Sequence, residues 1–209
     1  MDWSTAASLA TAAGTLVLAV ATFASVRSGN RSARVAERSL LAGLRPLLVP
    51  TRFEDPPEKV GFVDDKWIKV EGGRAAAEVG QGVVYLVIPV RNVGTGLAVL
   101  HGWNAYPGRR LDEAHADPST IRRLTRDLYI PPGSTGFWQG ALRDPNEEVF
   151  APICHAISRK EILTVDLLYG DYEGGQRIVT RFALLTRGED DVRIATVARH
   201  WNIDRPDPR

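Results

Sequence analysis

The sequence predicts a mainly β protein: an antiparallel β-sandwich that follows an N-terminal transmembrane helix and a short juxtamembrane helix. Two observations lead to this fold class. An uncharged run of 24 residues, Trp3 to Val26, lies near the N-terminus and is followed at once by recurring arginines. After Pro46 the apolar residues alternate with polar ones, and clusters of Gly, Pro and Asp separate the alternating runs, which is typical of antiparallel strands.

The composition divides the chain and limits its classes of function. We expect a transmembrane helix (1–26), a basic juxtamembrane helix or linker (27–46), a β-sandwich domain (47–187) and a C-terminal tail (188–209). The formal net charge is +1, with +3 in residues 1–46 and therefore −2 in the remainder. A near-neutral body lacks the basic face that nucleic acid requires, so we expect no nucleic-acid partner. The single cysteine, Cys154, excludes an intrachain disulfide.

The uncharged run is long enough to cross a membrane. As a helix, 24 residues span about 36 Å, which exceeds the roughly 30 Å hydrocarbon core of a bilayer. The flanking residue Asp2 argues against a secretory signal peptide, which begins with basic residues. We therefore expect a single span with the lipid bilayer as its partner, and a helix lying in the bilayer surface is the alternative.

The arginines after the run predict the orientation of the span. Segments close to the cytoplasmic face are enriched in arginine and lysine. Four arginines mark this boundary: Arg27, Arg31, Arg34 and Arg38. We expect a single-pass protein of the cell (inner) membrane, with its N-terminus outside and its β domain in the cytoplasm. The helical pattern continues to about Leu44, because Gly43 and Pro46 then end it.

Small and hydroxyl-bearing residues form a stripe along the predicted span. Small residues let two membrane helices approach closely, and hydroxyl groups can form hydrogen bonds between them. The residues that would carry such an association are Ser8, Thr11, Gly14 and Thr15, with Ala10 and Gly14 in small-xxx-small spacing. A homodimer through this helix is one interpretation. The other is that an alanine-rich span has small residues on every face.

The alternating runs after Pro46 give seven candidate strands. They are Leu47–Phe53, Lys66–Glu71, Val83–Asn92, Leu97–Tyr106, Leu128–Trp138, Ile162–Gly170 and Gln176–Leu185. The last two form a hairpin whose turn centres on Glu173-Gly174, and its register places Asp166 opposite Arg181 and Val165 opposite Phe182. The tail segment "DDVRIATVARHWNID" fits a helix and a strand equally well.

The glycine-rich stretch "VRNVGTGLAVL" (90–100) could be interpreted as a phosphate-binding loop. Such loops precede a helix, whose N-terminus binds the anion, whereas the residues from Leu97 onward alternate like a strand. A hairpin turn with glycine at positive φ is the preferred interpretation. Pro89 cannot donate a ladder hydrogen bond, so we expect its strand to be an edge strand or to carry a bulge.

Trp103 and several turn motifs lead to a resemblance. Trp103 lies in the strand after the glycine-rich turn and is our expected core anchor. The motifs "RNVGTGLA" (91–98), "IPPGSTGFW" (130–138) and "LLYGDYEG" (167–174) follow a basic juxtamembrane helix. In this order they resemble a group of uncharacterised bacterial single-span membrane proteins with an immunoglobulin-like β-sandwich domain. The resemblance implies that sandwich plan and carries no known catalytic residues.

Two clusters could carry chemistry. In "LDEAHAD", Asp112, His115 and Asp117 could hold a divalent metal ion. They all lie in one loop, with no helix or strand spacing to direct them to a common point, so a solvated acidic loop is the preferred interpretation. Cys154 and His155 could pair as nucleophile and base. Neighbouring side chains usually point apart, and "FAPICHAI" is apolar, so we expect a buried, inert thiol. We expect no cofactor.

These observations favour a membrane-tethered interaction module over an enzyme. A β-sandwich held at the inner leaflet suits binding of a protein partner through its sheet edges or its long loops, 107–126 and 139–160. One alternative is a metal-dependent hydrolase built from loop residues. Another is a membrane sensor that binds a small ligand at the end of the sandwich.

Overall fold

The structure, a computed structural model, describes residues 2–188, 192–204 and 206. The chain divides into two units, Met1–Gly43 and Leu44–Arg209. The first unit consists of one helix, α1 (Trp3–Gly43), which continues without a break through the arginine boundary. Its segment Thr11–Leu41 is long and apolar enough, by length and composition, to cross a membrane. The helix ends at Gly43, three residues before Pro46, as the sequence predicts.

The second unit is mainly β, which confirms the predicted fold class. Its strands are β1 (Leu48–Pro50), β2 (Glu58–Gly61), β3 (Trp67–Val70), β4 (Arg74–Gly80), β5 (Val83–Asn92), β6 (Ala98–Pro107), β7 (Arg122–Ile130), β8 (Thr135–Leu142), β9 (Leu163–Gly170), β10 (Arg177–Thr186) and β11 (Arg193–Asn202). A short 3-10 turn, Pro118–Thr120, precedes β7, and a helix, α2 (Phe150–Ser158), lies between β8 and β9.

One antiparallel sheet curls so that its two halves face each other. The first half contains β8, β5, β4 and β1, and the second runs β11, β10, β9, β6, β7. Strand β4 joins the halves, because it pairs with β5 through Ala76–Gly80 and with β11 through Arg74 and Ala75. The separate hairpin β2–β3 covers the outer face of β5, where Val60 and Ile68 pack against Tyr85 and Val87.

The core lies between the two halves. Aliphatic side chains of β5 meet those of β6, β9 and β10 there, and Ile153 and Ala156 of α2 complete the cluster. Trp103 is 3% exposed and meets Trp138 edge to face, with ring centroids 5.3 Å apart. The expectation that Trp103 is a core anchor is therefore confirmed.

The β9–β10 hairpin has the predicted register. Val165 pairs with Phe182, and Asp166 pairs with Arg181. The guanidinium of Arg181 donates to both carboxylate oxygens of Asp166 at 2.7 Å, and both side chains are almost completely buried. Arg181 also lies 4.8 Å from the ring of Trp201 on β11. These contacts connect β9, β10 and β11 on the outer face of the second half of the sheet.

The motif "RNVGTG" connects β5 to β6, which lie in different halves of the sheet, so the segment is not a hairpin turn. Gly94 and Gly96 are required by close approach rather than by positive φ. A Cβ atom at Gly96 would lie 1.7 Å from the carbonyl oxygen of Leu44, and one at Gly94 would lie 2.4 Å from that of Arg45. The two glycines let the chain that follows α1 pass directly over this connection.

Three strand predictions are corrected. The single strand 128–138 is two strands, because Pro131-Pro132-Gly133 breaks it into β7 and β8. Strand β5 is central, not an edge, and Pro89 is accommodated where pairing with β4 has ended and pairing with β1 begins. The tail segment, which fitted a helix and a strand equally well, forms β11 and pairs along β10. The sheet therefore extends beyond residue 187, the predicted end of the β-sandwich domain.

We expect Gly96→Ala to destabilise the β domain strongly, by about 3 kcal/mol in the free energy of unfolding, because the new methyl group collides with backbone that cannot rotate away. Gly80→Ala is the matched control, since the nearest atom to its Cβ would be 3.9 Å away, and it should change stability by less than about 0.5 kcal/mol. Urea unfolding of the full chain in detergent micelles measures both. Equal stability of the two variants would contradict the close approach.

Truncation of Trp103 to alanine should lower the free energy of unfolding by roughly 3–5 kcal/mol, because a buried indole leaves a large cavity. Trp67→Ala serves as the control, since that ring is 59% exposed, and the expected loss is below about 1 kcal/mol. The same urea titration applies. A loss at Trp103 no larger than that at Trp67 would show that the indole is not part of the core.

Candidate functional site

An open groove of about 1030 Å³ lies beside β4. Its walls are the C-terminal end of β3, the outer edge of β4, one side of α2 and the start of β11. Segment 139–160, predicted from the sequence as an interaction loop, contributes α2. Ala75, Ala76 and Ala77 of β4 are among its lining residues.

The groove exists because β4 and β11 separate after a short contact. They pair only at Arg74 and Ala75, whereas β4 continues to Gly80 along β5. Among the described residues, no strand pairs with the outer edge of β4 beyond Ala75. The short side chains at Ala76 and Ala77 leave the space beside this edge open.

Helix α2 forms the opposite wall. Ile153 and Ala156 are buried in the main core, and Phe150, Cys154 and Ile157 pack partly against it. This spacing of three and four residues gives the helix one apolar side. Pro152 sits in its first turn, where a missing N–H costs no helical hydrogen bond. Helix α2 was not predicted from the sequence, although the spacing of Phe150, Ile153 and Ile157 is the signal of an amphipathic helix.

The charged groups of the groove are mostly cationic. Among the residues that the structure describes, the lining contains Lys69, Arg74, Lys160 and Arg193 but only two carboxylates, Glu71 and Glu78. Each carboxylate already binds a lysine of the β2–β3 hairpin: Glu71 lies 3.1 Å from Lys69, and Glu78 lies 2.7 Å from Lys66. Arg193 donates to the carbonyl oxygen of Glu161 at 2.7 Å. The exposed Arg74 stands at the end of the open edge.

Cys154 and His155 both line the groove but do not form a nucleophile and base. Cys154 is half-buried against the core, and burial raises the pKa of its thiol, which disfavours the reactive thiolate. His155 is exposed on the neighbouring position of the same helix. The expected buried thiol is therefore partly accessible from the groove.

The three candidate metal ligands do not converge. Asp112 forms an ion pair with Arg110 and lies 3.8 Å from Arg181. Asp117 accepts hydrogen bonds from the backbone N–H and the hydroxyl of Ser119, which lower the pKa of its carboxyl group. His115 lies beside Trp201. Within residues 2–188, 192–204 and 206, no group of three or more His, Cys, Asp or Glu side chains is placed to hold a metal ion.

The segment that carries these residues instead covers the second half of the sheet. The backbone oxygen of Asp112 lies 3.4 Å from a guanidinium nitrogen of Arg181, and that of Glu113 accepts from the indole N–H of Trp201 at 2.9 Å. Ile121 packs against Leu168. The acidic loop therefore covers the buried Asp166–Arg181 pair. Asp112 and Arg181 are about seventy positions apart in the sequence, so no local sequence pattern predicts this contact.

The residues predicted at the membrane all lie on α1. Arg27, Arg31 and Arg34 are exposed, and Arg38 is on the same helix. The hydroxyl groups of Ser8, Thr11 and Thr15 donate to backbone carbonyl oxygens four residues earlier, at 2.9–3.0 Å. Nothing lies within 4 Å of a Cβ placed at Gly14. Because the hydroxyls are satisfied within the helix, they do not require a second copy, and the homodimer stays a prediction.

His101 lies half-buried on β6 next to Gly170. Burial lowers the pKa of its imidazole below the ordinary 6.5, and the nearby Arg177 lowers it further. Asp127 and Asp171 act in the opposite direction and do not reverse the shift. The folded protein therefore disfavours the charged imidazolium at this position.

In comparisons with known proteins, no family model, no curated protein and no solved structure matches this chain.

Lowering the pH from about 7.5 to about 5.5 should destabilise the protein more than it destabilises His101→Gln, because the unfolded chain takes up a proton that the folded chain resists. A lowered folded pKa makes this contribution complete above the unfolded value and lost as the pH falls below it. Urea unfolding midpoints at both pH values measure the difference. The comparison variant is His155→Gln, which removes an exposed imidazole and leaves His101 in place.

Proposed function

We propose that this chain is a single-span protein of the cell (inner) membrane whose β domain stands in the cytoplasm and holds a protein partner at the membrane surface. The observation that carries the proposal is the exposed apolar surface of α1. Leu16, Val17, Leu18, Val20 and Phe23 are 62–69% exposed, and no part of the described chain covers them. Lipid is the environment that accepts such a helix, because its backbone is fully hydrogen-bonded internally.

The charge pattern supports the orientation. Arginines near the end of a span favour the cytoplasmic side, and the anionic leaflet attracts each of them by about 1 kcal/mol. Arg27, Arg31 and Arg34 are exposed on α1 and can reach the headgroups. The N-terminal flank contains Asp2 and no cation. This asymmetry supports an N-terminus outside and a β domain in the cytoplasm.

The start of the β domain supports a tethering role. Arg45 and Leu47, just after the end of α1, are bound by the connection between β5 and β6. Thr95 donates to the carbonyl oxygen of Arg45 at 3.0 Å, and Leu47 donates to the side chain of Asn92 at 3.1 Å. Only Leu44 separates Gly43 from this bound segment. The β domain therefore follows α1 without a long flexible linker.

The open groove supports a protein partner. It is lined by a sheet edge and a helix and is only partly enclosed, which suits a polypeptide better than a compact substrate. The proposal includes an immunoglobulin-like character of the domain, with two facing half-sheets and a central tryptophan pair as its support. The second candidate function is a sensor of a small ligand, which the volume of the same groove favours.

Reporter fusions test the orientation. Fused to the C-terminus, alkaline phosphatase should be inactive and a fluorescent protein should fluoresce, since the β domain lies in the cytoplasm. Changing Arg27, Arg31, Arg34 and Arg38 to Gln should give a mixed orientation, whereas changing Arg123 and Arg126, which are exposed on β7, should have no effect. An active C-terminal phosphatase in the unmodified protein would contradict the proposed topology.

The tethering function needs its own experiment. After crosslinking in intact cells, tagged full-length chain purified from membranes should carry a specific protein that is not recovered with residues 1–46 alone. Identical crosslinked products for the two chains would contradict a partner of the β domain. A crosslink only to the small-residue face of α1 would indicate self-association instead.

A further inference from the structure

We propose that the outer edge of β4 is a strand-addition site, at which an extended segment of a partner protein pairs with Ala77 and Val79. The proposal rests on the proposed function, since it identifies the surface and the chemistry through which the β domain would bind its partner. The segment would lie in the groove between β4 and α2 and continue the first half of the sheet by one strand.

The direction of the β4 backbone groups carries the argument. Gln81 and Gly82, both at positive φ, form the two-residue turn between β4 and β5, with Gly80 opposite Val83. Such a turn makes this first pair hydrogen-bonded, and bonding then alternates along the strands. Glu78 and Ala76 therefore bond to β5, and Ala77 and Val79 direct their N–H and C=O groups away from it.

The bonds to β11 agree with this alternation. Gly73 accepts from the N–H of Ala195 at 3.4 Å, and Ala75 lies opposite Arg193. Odd-numbered residues thus face the β11 side, and Ala77 and Val79 continue the same series after β11 has diverged. They offer two N–H and two C=O groups in the spacing that an added strand requires.

In the described part of the chain, the outward-bonding positions of the β4 edge carry no charged side chain. Charged side chains discourage pairing with foreign strands, and β7, the strand at the far end of the second half, carries Arg122, Arg123 and Arg126. The outward-bonding positions of β4 are Ala77 and Val79, and Val79 is 47% exposed. An exposed aliphatic residue at a bare strand edge is a feature that an added strand would cover.

The walls of the groove indicate the chemistry of the segment. Side chains of an added strand alternate between its two faces. One set would meet Ile157 and the thiol of Cys154 on α2, which favours small or β-branched apolar residues. The other set would meet Arg74, because Glu71 and Glu78 already bind lysines. We infer a segment of alternating apolar residues that also contains at least one carboxylate.

Amide hydrogen exchange tests the site directly. Short random peptides displayed on phage are selected on the full-length chain in nanodiscs, and a selected peptide is then synthesised. On its addition, the amides of Ala77 and Val79 should exchange at least about tenfold more slowly, because they gain hydrogen bonds. The amides of Ala76 and Glu78, already bonded to β5, should not change. Protection of all four amides, or of none, would overturn the proposal.

N-methylation of the peptide provides a second measurement. Removing one N–H at a time should weaken binding by about tenfold at alternate positions only, since an added strand bonds through every second residue. In the protein, Ala77→Pro should abolish binding, whereas Val79→Thr, which keeps the backbone amide, should bind within about threefold of the wild type. Because Ala77→Pro can also disturb β4, the N-methyl series decides. Uniform effects along the peptide would overturn the proposal.

The remaining outcomes identify other occupants. Protection of Ala77 and Val79 that rises with protein concentration in the absence of peptide would overturn the proposal in favour of pairing between two copies. Selected peptides that bind with both amides unprotected would also overturn it, since they would dock elsewhere. Neither result affects the crosslinking test of the proposed function. Conversely, a peptide that pairs with β4 in a chain whose C-terminus faces outside would retain this site and reject the proposed topology.

Discussion

The side chain of Asn92 is the constraint on which the arrangement of the domain depends. It is completely buried at the end of β5 and bonds to four backbone groups in three separate segments. Its oxygen accepts from the N–H groups of Leu47 and Gly94, and its nitrogen donates to the carbonyl oxygens of Gly96 and Ile130. Loss of this one amide would leave several buried backbone groups unpaired, each at a cost of about 1–3 kcal/mol. The position of β1, the path into β6 and the turn after β7 all follow from it.

This constraint also explains which parts of the fold the sequence could predict. The β9–β10 hairpin was predictable in register, because one alignment pairs apolar residues on one face and Asp166 with Arg181 on the other. The function of "RNVGTG" was not predictable, because its glycines make room for the backbone of Leu44 and Arg45, which are distant along the chain. The interpretation as a turn with positive φ considered only local conformation. Glycine is required there because two segments of the same chain cross at close distance.

The candidate site was the hardest part to predict, and the reason is physical. Strand β4 is rich in alanine, which favours helices rather than strands, and it shows no clear alternation, so only pairing with β5 makes it a strand. Helix α2 has nine residues and would be marginal in isolation, and Ile153 and Ala156 stabilise it only when the core is present. The groove results from the divergence of β4 and β11, and neither strand was predicted from the sequence.

Strand β5 links the two proposed roles. Residues 83–87 pair with β4, and Asn92 at its C-terminal end binds the segment that follows α1. A force on a segment paired with β4 would therefore pass through the β4–β5 ladder and along β5 to the anchored end. A partner held by strand addition would thus be joined to the segment that follows α1 through the β4–β5 ladder and the buried side chain of Asn92.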